Sequence, residues 1–320
     1  MIKTIIRRLI IMIPQLLLIS LAVFFLAYLM PGDFVSGMIG QEFTLTQIEQ
    51  MRDQLGLNDP WYIQYVRWLG NLARGDLGMS FAHQRPVVDV LGDRIVNTLR
   101  LSLTSVVLLL AISIPLGILA GRFYRGAVDK AILVYGFIGM ALPAIVQGLV
   151  LIWVFGIRLD VLPARGSVDV FMVGTGWGEF WSRMQHLILP SIALSTFSGV
   201  GMIYMLRSQI VEGRSSDYAT TARSKGVPEN IIFRRHIMRN SLIPLAGDIG
   251  FIFVGLFAGT VFIERIFSYP GMGLLFLESI ALRDMGVVSA LVVIYAALSV
   301  IGVLIGDIAL TVADPRIRIK

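Results

Sequence analysis

Residues 207–244 read RSQIVEGRSSDYATTARSKGVPENIIFRRHIMRNSLIP, a polar island between two long apolar runs. The island carries Arg207, Arg214, Arg223, Lys225, Arg234, Arg235 and Arg239 against only Glu212, Asp217 and Glu229. Ser215, Ser216 and Asp217 are helix-capping residue types and predict a short helix from Tyr218 to Lys225. Ala219, Thr220, Thr221 and Ala222 fill that helix with small side chains, and Gly226 stands where a left-handed residue would end it. Pro228 and Glu229 then open a second helix reaching to about Met238, because the fixed φ of proline suits a first turn. Asn240 and Pro244 lead back into apolar sequence. A loop that only obeys the positive-inside rule needs charge, but no caps, glycine or run of small residues. The internal order therefore points to a docking platform.

Around the island the chain is apolar. Its 320 residues are 56% hydrophobic and 15% charged, with a mean hydropathy of +0.78. Soluble domains are about 45–50% apolar and about 25% charged, so the composition is that of a polytopic membrane protein. The net charge of +6 then matters through its distribution across loops and does not point to nucleic acid. The absence of cysteine excludes disulfides, thiol catalysis and thiolate metal sites. His83, His186 and His236 are too dispersed for a metal motif. The sequence has no phosphate-loop motif, no H-E-x-x-H and no G-x-S-x-G, so any ATP consumed would be bound by another chain. Lys3, Arg7 and Arg8 precede an apolar run from Leu9 to Met30. That run exceeds a signal-peptide core of about 7–15 residues and has no small-residue cleavage site after it, so it reads as an uncleaved first span.

Six stretches reach the roughly 20 apolar residues a span needs: about 9–30, 98–121, 131–156, 187–206, 242–263 and 286–311. Basic residues gather at Lys3, Arg7 and Arg8, at Arg122, Arg125 and Lys130, in the island, and at Arg316, Arg318 and Lys320. The opposite side is dominated by Asp33, Glu42, Glu49, Asp53, Asp59, Asp76, Asp89 and Asp93. Both termini and the island are therefore expected in the cytoplasm. This divides the chain into a first span with its leader (1–30), an extracytoplasmic segment (31–97) and a five-span core (98–320) with its cytoplasmic loop at 207–241. In the extracytoplasmic segment, Thr46 and Glu49 form a capping-box pattern for a helix ending at Gly56, and Asp59-Pro60 starts another. Trp61, Tyr65, Trp68, Leu69 and Leu72 share a face of the latter, fit either for the membrane interface or for a neighbouring span. Pro115, Pro143, Pro190 and Pro244 predict kinks in spans two to five, or mark a moving pathway. Asp248 and Asp307 lie within spans. Such acids point to proton coupling, or, about two turns from the inner face, to pairing with Arg239 or Arg316 or with water at that boundary.

The island resembles the cytoplasmic loop by which permeases of ATP-binding-cassette importers engage their ATPases. Within these it is similar to the dipeptide, oligopeptide and nickel permease family, whose loop reads D-Y-x-x-T-A-R-x-K-G and then R-H-x-x-R-N-x-x-I-P. The matching residues are Asp217, Tyr218, Thr221, Ala222, Arg223, Lys225 and Gly226, followed by Arg235, His236, Arg239, Asn240, Ile243 and Pro244. Thr220-Thr221-Ala222 replace the Glu-Ala-Ala of the wider importer signature, as is usual in the peptide branch. Further resemblances are Pro31-Gly32-Asp33 (with Phe34 where proline is common), Gly75-Asp76-Leu77-Gly78-Met79-Ser80 and Asn97-Thr98-Leu99. Glu264 to Gly273, with Phe267, Pro270 and Gly271, and Asp314-Pro315-Arg316-Ile317-Arg318 complete the set.

The resemblance implies an all-α fold of six transmembrane helices, the type I importer permease fold, in a bacterial plasma membrane. It implies a pathway shared with a second permease, two cytoplasmic ATPases that bind ATP and magnesium, and an extracytoplasmic peptide-binding protein. The chain itself is then a transport subunit with no enzyme activity and no cofactor of its own, moved by its ATPases in alternating access. The coupling residues it implies are Asp217, Tyr218, Thr221, Ala222, Arg223, Lys225, Gly226, His236, Arg239 and Asn240. Peptides are favoured over nickel or another small solute because no His, Cys or Met cluster suits a metal. A proton-driven carrier built on Asp248 or Asp307 is the reading from another class.

Overall fold

A computed structural model describes residues 2–29, 45–80 and 82–313, and they are mostly helical. Pro31-Gly32-Asp33, Phe34 and the stretch Asp314 to Arg318 lie outside them. α1 (Ile2–Leu29) is followed by α2 (Leu45–Leu55), α3 (Trp61–Ala73) and a two-stranded antiparallel hairpin, β1 (Met79–Ser80) with β2 (Arg85–Pro86). α4 (Val87–Arg122) comes next. α5 (Ala127–Ala141) and α6 (Ala144–Leu151) follow, the latter continuing as a π-helical turn through Arg158. α7 (Trp177–Arg214) leads to α8 (Asp217–Ser224) and α9 (Glu229–Ile232), whose helix runs on through a π turn into α10 (Met238–Ser241). α11 (Ile243–Ile266), α12 (Met272–Ala281) and α13 (Met285–Ala313) complete the chain.

Val87–Arg122 and Met285–Val312 are each long and apolar enough to cross a membrane unaided. Three bent pairs qualify as one span each: Ala127–Ala141 with Ala144–Arg158 at 104°, and Trp177–Thr196 with Ser198–Arg214 and Glu229–Gly250 with Ile252–Ile266, both at 47°. By length and composition the described residues hold up to five spans, and Ile10–Leu26 is a shorter apolar helix. The sharp bend falls at Pro143. Leu142 before it is extended, at φ −91° and ψ 123°, because the proline ring clashes with a helical predecessor. Pro115 and Pro190 sit inside α4 and α7, and Pro244 occupies the first turn of α11, where no amide hydrogen is needed. Only one of the four expected kinks is thus a break at proline.

α4 packs along α7, and α11 along α13. A Cβ on Gly250 would land on the carbonyl oxygen of Gly302 and the backbone of Gly306, so α11 and α13 touch backbone to backbone. Serines face inward, with Ser102, Ser105 and Ser113 of α4 all buried and Ser113 Oγ donating to the Gly199 carbonyl at 3.1 Å. Large apolar side chains stand on the outside instead, such as Val107, Phe137 and Met140. That inversion suits helices whose solvent is hydrocarbon.

The second long helix begins eleven residues before the apolar run predicts. Val87, Val90 and Leu91 are buried against Phe257, Met272, Leu275, Val287 and Leu291, while Asp89 and Asp93 stay exposed. Helical spacing of apolar residues, not an apolar run, carries α4 past the bilayer region. Thr46 lies inside α2 instead of capping it, although Gly56 does end that helix, with φ +65°. The aromatic stripe of α3 packs on α1. The Phe24 ring lies 5.4 Å from Tyr65 and 5.9 Å from Trp68, and Tyr65 OH meets Ser20 Oγ at 3.0 Å.

Two buried carboxylates lock this end of the bundle. Asp284 accepts from Ser80 Oγ at 2.5 Å and from the Ala82 amide at 3.2 Å, fixing the hairpin to α13. Glu264, fully buried, accepts from Thr98 Oγ1 at 2.7 Å and from the Leu274 amide at 2.8 Å, while Asn97 Nδ2 donates to the Pro270 carbonyl at 2.9 Å. The Asn97-Thr98-Leu99 and Glu264–Gly273 motifs, 166 residues apart at their nearest bonded pair, therefore form one joint between α4, α11 and α12.

Candidate functional site

The island folds as a helical platform on the opposite end of α7. α7 runs to Arg214, where Ser215 Oγ and Ser216 Oγ donate to the carbonyls of Glu212 and Gly213 at 3.0 and 2.7 Å. Ser216 holds the N-cap position of α8, yet its hydroxyl closes α7 and makes no capping bond to α8. The expected serine cap is corrected accordingly: the last carbonyls of a 38-residue helix took the donor first. α8 spans Asp217–Ser224, and Gly226 adopts φ +73° as expected. The Gly226 amide reaches the Arg223 carbonyl and the Val227 amide the Ala222 carbonyl, so the chain reverses on a left-handed turn. Pro228 caps the next helix, which runs from Glu229 to Ser241 through its π turn, three residues further than predicted.

Of the four small side chains of α8, Thr220 and Thr221 are exposed and the two alanines face inward. Ala219 and Ala222 are buried against Leu206 and Ile210 of α7 and against Ile232, Phe233 and Ile237 of the following helix. The two alanines let α8 lie close against its own chain. Arg223 is likewise engaged internally. Its Nε and Nη2 donate to the two carboxylate oxygens of Glu229 at 3.0 and 2.9 Å, and Nη1 donates to the Arg214 carbonyl at 2.9 Å. This clasp closes the turn around Gly226. It holds the Glu229 carboxyl below the usual glutamate range and raises the Arg223 guanidinium further, chiefly through the hydrogen bonds of the pair.

The exposed members of the predicted set are Asp217, Tyr218, Thr221, Arg223, Lys225, Gly226, Arg239 and Asn240, with His236 partly buried. Ile231, Arg234 and Arg235 are exposed beside them. Nearly all the predicted residues are thus exposed, on α8, its turn and the helix after it, with Ala222 buried. Tyr218 hydroxyl lies over Gly213, where a Cβ would meet it.

The platform is also tied to the loop between α4 and α5. Arg207 donates from Nε and Nη2 to the two oxygens of Asp129 at 2.6 and 2.8 Å, and its guanidinium lies 5.1 Å from the Tyr124 ring centre. Arg214 Nη1 donates to the Gly121 carbonyl at 3.3 Å, and Arg122 Nη2 to Asn230 Oδ1 at 3.3 Å. Arg122 also lies over the Phe233 ring at 5.3 Å. Asp129 is the residue that sequence reasoning missed. It is one acid in a basic loop, and nothing local marks it as the partner of a residue 78 positions away.

Asp248 does not pair with Arg239, or with any other cation among the described residues. It is half-buried and lines a groove of about 360 Å³ between α4, α7 and α11, which corrects the expected pairing with Arg239 and not the alternative of water. Asp307 lines a different groove, between α1 and α13, with Gln15 and Ser299; its expected partner Arg316 lies outside the described residues.

The described residues thus form a helical bundle, with spans long and apolar enough for a membrane and a compact polar platform between α7 and α11. Comparison with known proteins gives the family. Residues 113–319 match the binding-protein-dependent transport system inner membrane component family, and residues 1–104 match the N-terminal component of the same membrane proteins. The chain belongs to this family. It is 39% identical over 315 residues to the oligopeptide transport system permease protein AppB of Bacillus subtilis (strain 168), covering 98% of each chain. It is 32% identical over 320 residues to the glutathione transport system permease protein GsiC of Escherichia coli (strain K12), covering all of both.

Proposed function

We propose that this chain is a permease subunit of an ATP-driven importer of peptides, and that the platform is where an ATPase docks. The family match over nearly the whole chain supports the permease role, and the oligopeptide and glutathione permeases it resembles support a peptide solute. The observation that carries the docking assignment is the platform's two-sided construction. Its apolar side is consumed within the chain, while Tyr218, Thr221, Lys225, Ile231 and Arg235 remain exposed on the other.

On this reading six spans cross the plasma membrane with both termini and the platform in the cytoplasm. Residues 1–30 form the first span with its leader, 31–97 the extracytoplasmic segment and 98–320 the core. A second permease completes the pathway, two ATPases bind ATP and magnesium, and an extracytoplasmic binding protein delivers the peptide. Asp217, Tyr218, Thr221, Lys225, Gly226, His236, Arg239 and Asn240 meet the ATPase. Arg223 and Ala222 act within the chain, holding the turn and seating α8. Motion passes through because the platform is bonded to α4, α5 and α7 at once, so a displaced ATPase surface moves three helices together.

The test is uptake of a labelled dipeptide by vesicles holding the full transporter, with ATP inside the compartment that faces the platform. ATP-dependent uptake that stops when Thr221 and Lys225 are both changed to Glu, with the permease pair still assembled, supports the reading. Uptake that survives without ATP, or that follows a proton gradient at constant ATP, overturns it.

A further inference from the structure

We infer that the groove at Asp248 is a binding site for the ammonium end of a peptide in transit. The inference rests on the importer reading and specifies its pathway. The groove is walled by Leu109 of α4, by Met202 and Met205 of α7 and by Leu245, Ile252 and Leu256 of α11. Two polar side chains enter this apolar surface, Asp248 and Ser198, and neither has a hydrogen-bond or ion-pair partner among the described residues. Gly201 and Gly255 lie in the lining as well, so backbone is accessible there.

A carboxylate between membrane helices is costly unless water or a cation meets it, and such residues mark the route of a charged solute. Three other acids of the bundle are held by partners. Glu264 holds Thr98 and the Leu274 amide, Asp129 holds Arg207, and Asp284 holds Ser80. Asp248 differs in facing open space at the bend of α11, two residues before Gly250. Its complement is a compact cation carrying hydrogen-bond donors, with an acceptor need that Ser198 can share. Every unmodified peptide supplies such a group at its first residue, whatever its side chains. The remaining walls suit side chains of varied shape, because methionine is flexible and polarizable and repacks around different partners. One fixed anion in a deformable apolar groove recognises the common feature of peptides and tolerates the rest.

The chain has no cysteine, so a single reporter can be placed beside the acid. Ser198→Cys and, separately, Ile252→Cys are made in the full transporter with partner cysteines removed, then reacted with an aminoethyl or a sulfonatoethyl methanethiosulfonate in vesicles. The expected ratio of cationic to anionic labelling rates is high and falls about tenfold with Asp248→Asn, the order expected for one screened charge a few ångströms away. Dialanine slows the cationic reagent in the absence of binding protein, whereas N-acetyl-dialanine at equal concentration does not. An unchanged ratio in Asp248→Asn at either reporter, equal protection by both peptides, or no labelling of either reporter with and without ATP overturns the inference. The last outcome means a partner chain covers the acid. Loss of ATP-driven dipeptide uptake in the unmodified transporter instead overturns the importer reading and is scored separately.

Discussion

Arg207 and Asp129 meet side to side, Nε and Nη2 against the two carboxylate oxygens at 2.6 and 2.8 Å, and so bind the platform end of α7 to the first turn of α5. The Asp129 side chain is 1% exposed and that of Arg207 21%. A bidentate pair with one partner dry and the other near water loses more from removal of one member than its own attraction is worth. Asp129→Ala is expected to destabilise the assembled transporter by about 3 kcal/mol, near the low end for breaking a buried pair from one side. Asp93→Ala, at an exposed acid on α4, should have no such effect. Thermal unfolding of both variants in detergent checks this.

Thr221 and Ala222 are neighbours in sequence and opposites in burial, which separates docking from folding. Thr221→Glu faces out and should leave assembly intact while abolishing ATPase binding. Ala222→Glu drives a charge into Leu206, Ile210 and Phe233 and should lower the amount of folded permease. Co-purification of ATPase with permease, measured per folded molecule, distinguishes them. Equal ATPase loss at equal yield in both variants would contradict the two-sided platform.

Gly226 at φ +73° has open space around its missing Cβ, so a side chain there meets no neighbour and suffers only backbone strain. Gly226→Asn is expected to retain most coupling, because asparagine tolerates this region. Gly226→Val should lose at least about 1–2 kcal/mol of the turn's preference and uncouple ATP hydrolysis from loaded binding protein. Stimulated hydrolysis in vesicles is the measurement.

The Arg223–Glu229 clasp carries a signed pH dependence. Because Arg223 holds the folded-state pKa of Glu229 below its ordinary value, the associated stability is present above that ordinary value and is lost as pH falls through the depressed one. ATPase binding should therefore be indifferent to Glu229 titration between about pH 6 and 8, given an ordinary glutamate value near 4.3. Glu229→Gln should weaken binding across that whole range. A wild-type transition near neutrality that Glu229→Gln abolishes would contradict the clasp.

Orientation follows from cysteines placed at two exposed turns, Ser215→Cys on the platform and Gln84→Cys in the hairpin. In intact cells, an impermeant external thiol reagent is expected to label the second and spare the first. Labelling at Ser215→Cys would invert the proposed topology.

The helical frame was legible because hydrocarbon solvent demands long apolar runs, and Gly226 and Pro228 punctuate the platform where their backbone limits require. What stayed hidden was direction. Ala219 and Ala222 read as small residues fit for close contact, but composition does not say with whom; the apolar Ile232, Phe233 and Ile237 on the next helix supplied the answer. Nothing local joined Arg223, read as a coupling residue, to Glu229, read as the start of the next helix. The first eleven residues of α4 were missed because Asp89, Asp93 and Arg94 interrupt the apolar run, although Val87, Val90 and Leu91 keep helical spacing. Asp129 and Asp284 gain their roles only from partners 78 and 204 residues away.

Glu264 sets a limit on how the bundle can flex. Its carboxyl, closed off from water, is shared among Thr98, the Leu274 amide and the neighbouring backbone of α12. Prying α4 from α11 at that end would strand a dry acid and two donors in every cycle, at about 1–3 kcal/mol for each group left unmet. Those three helix ends must then travel as a single block. Along the shafts, by contrast, the helices already depart from straightness, at the 47° bends near Thr196–Ser198 and Gly250–Ile252, beside Asp248 and away from that end.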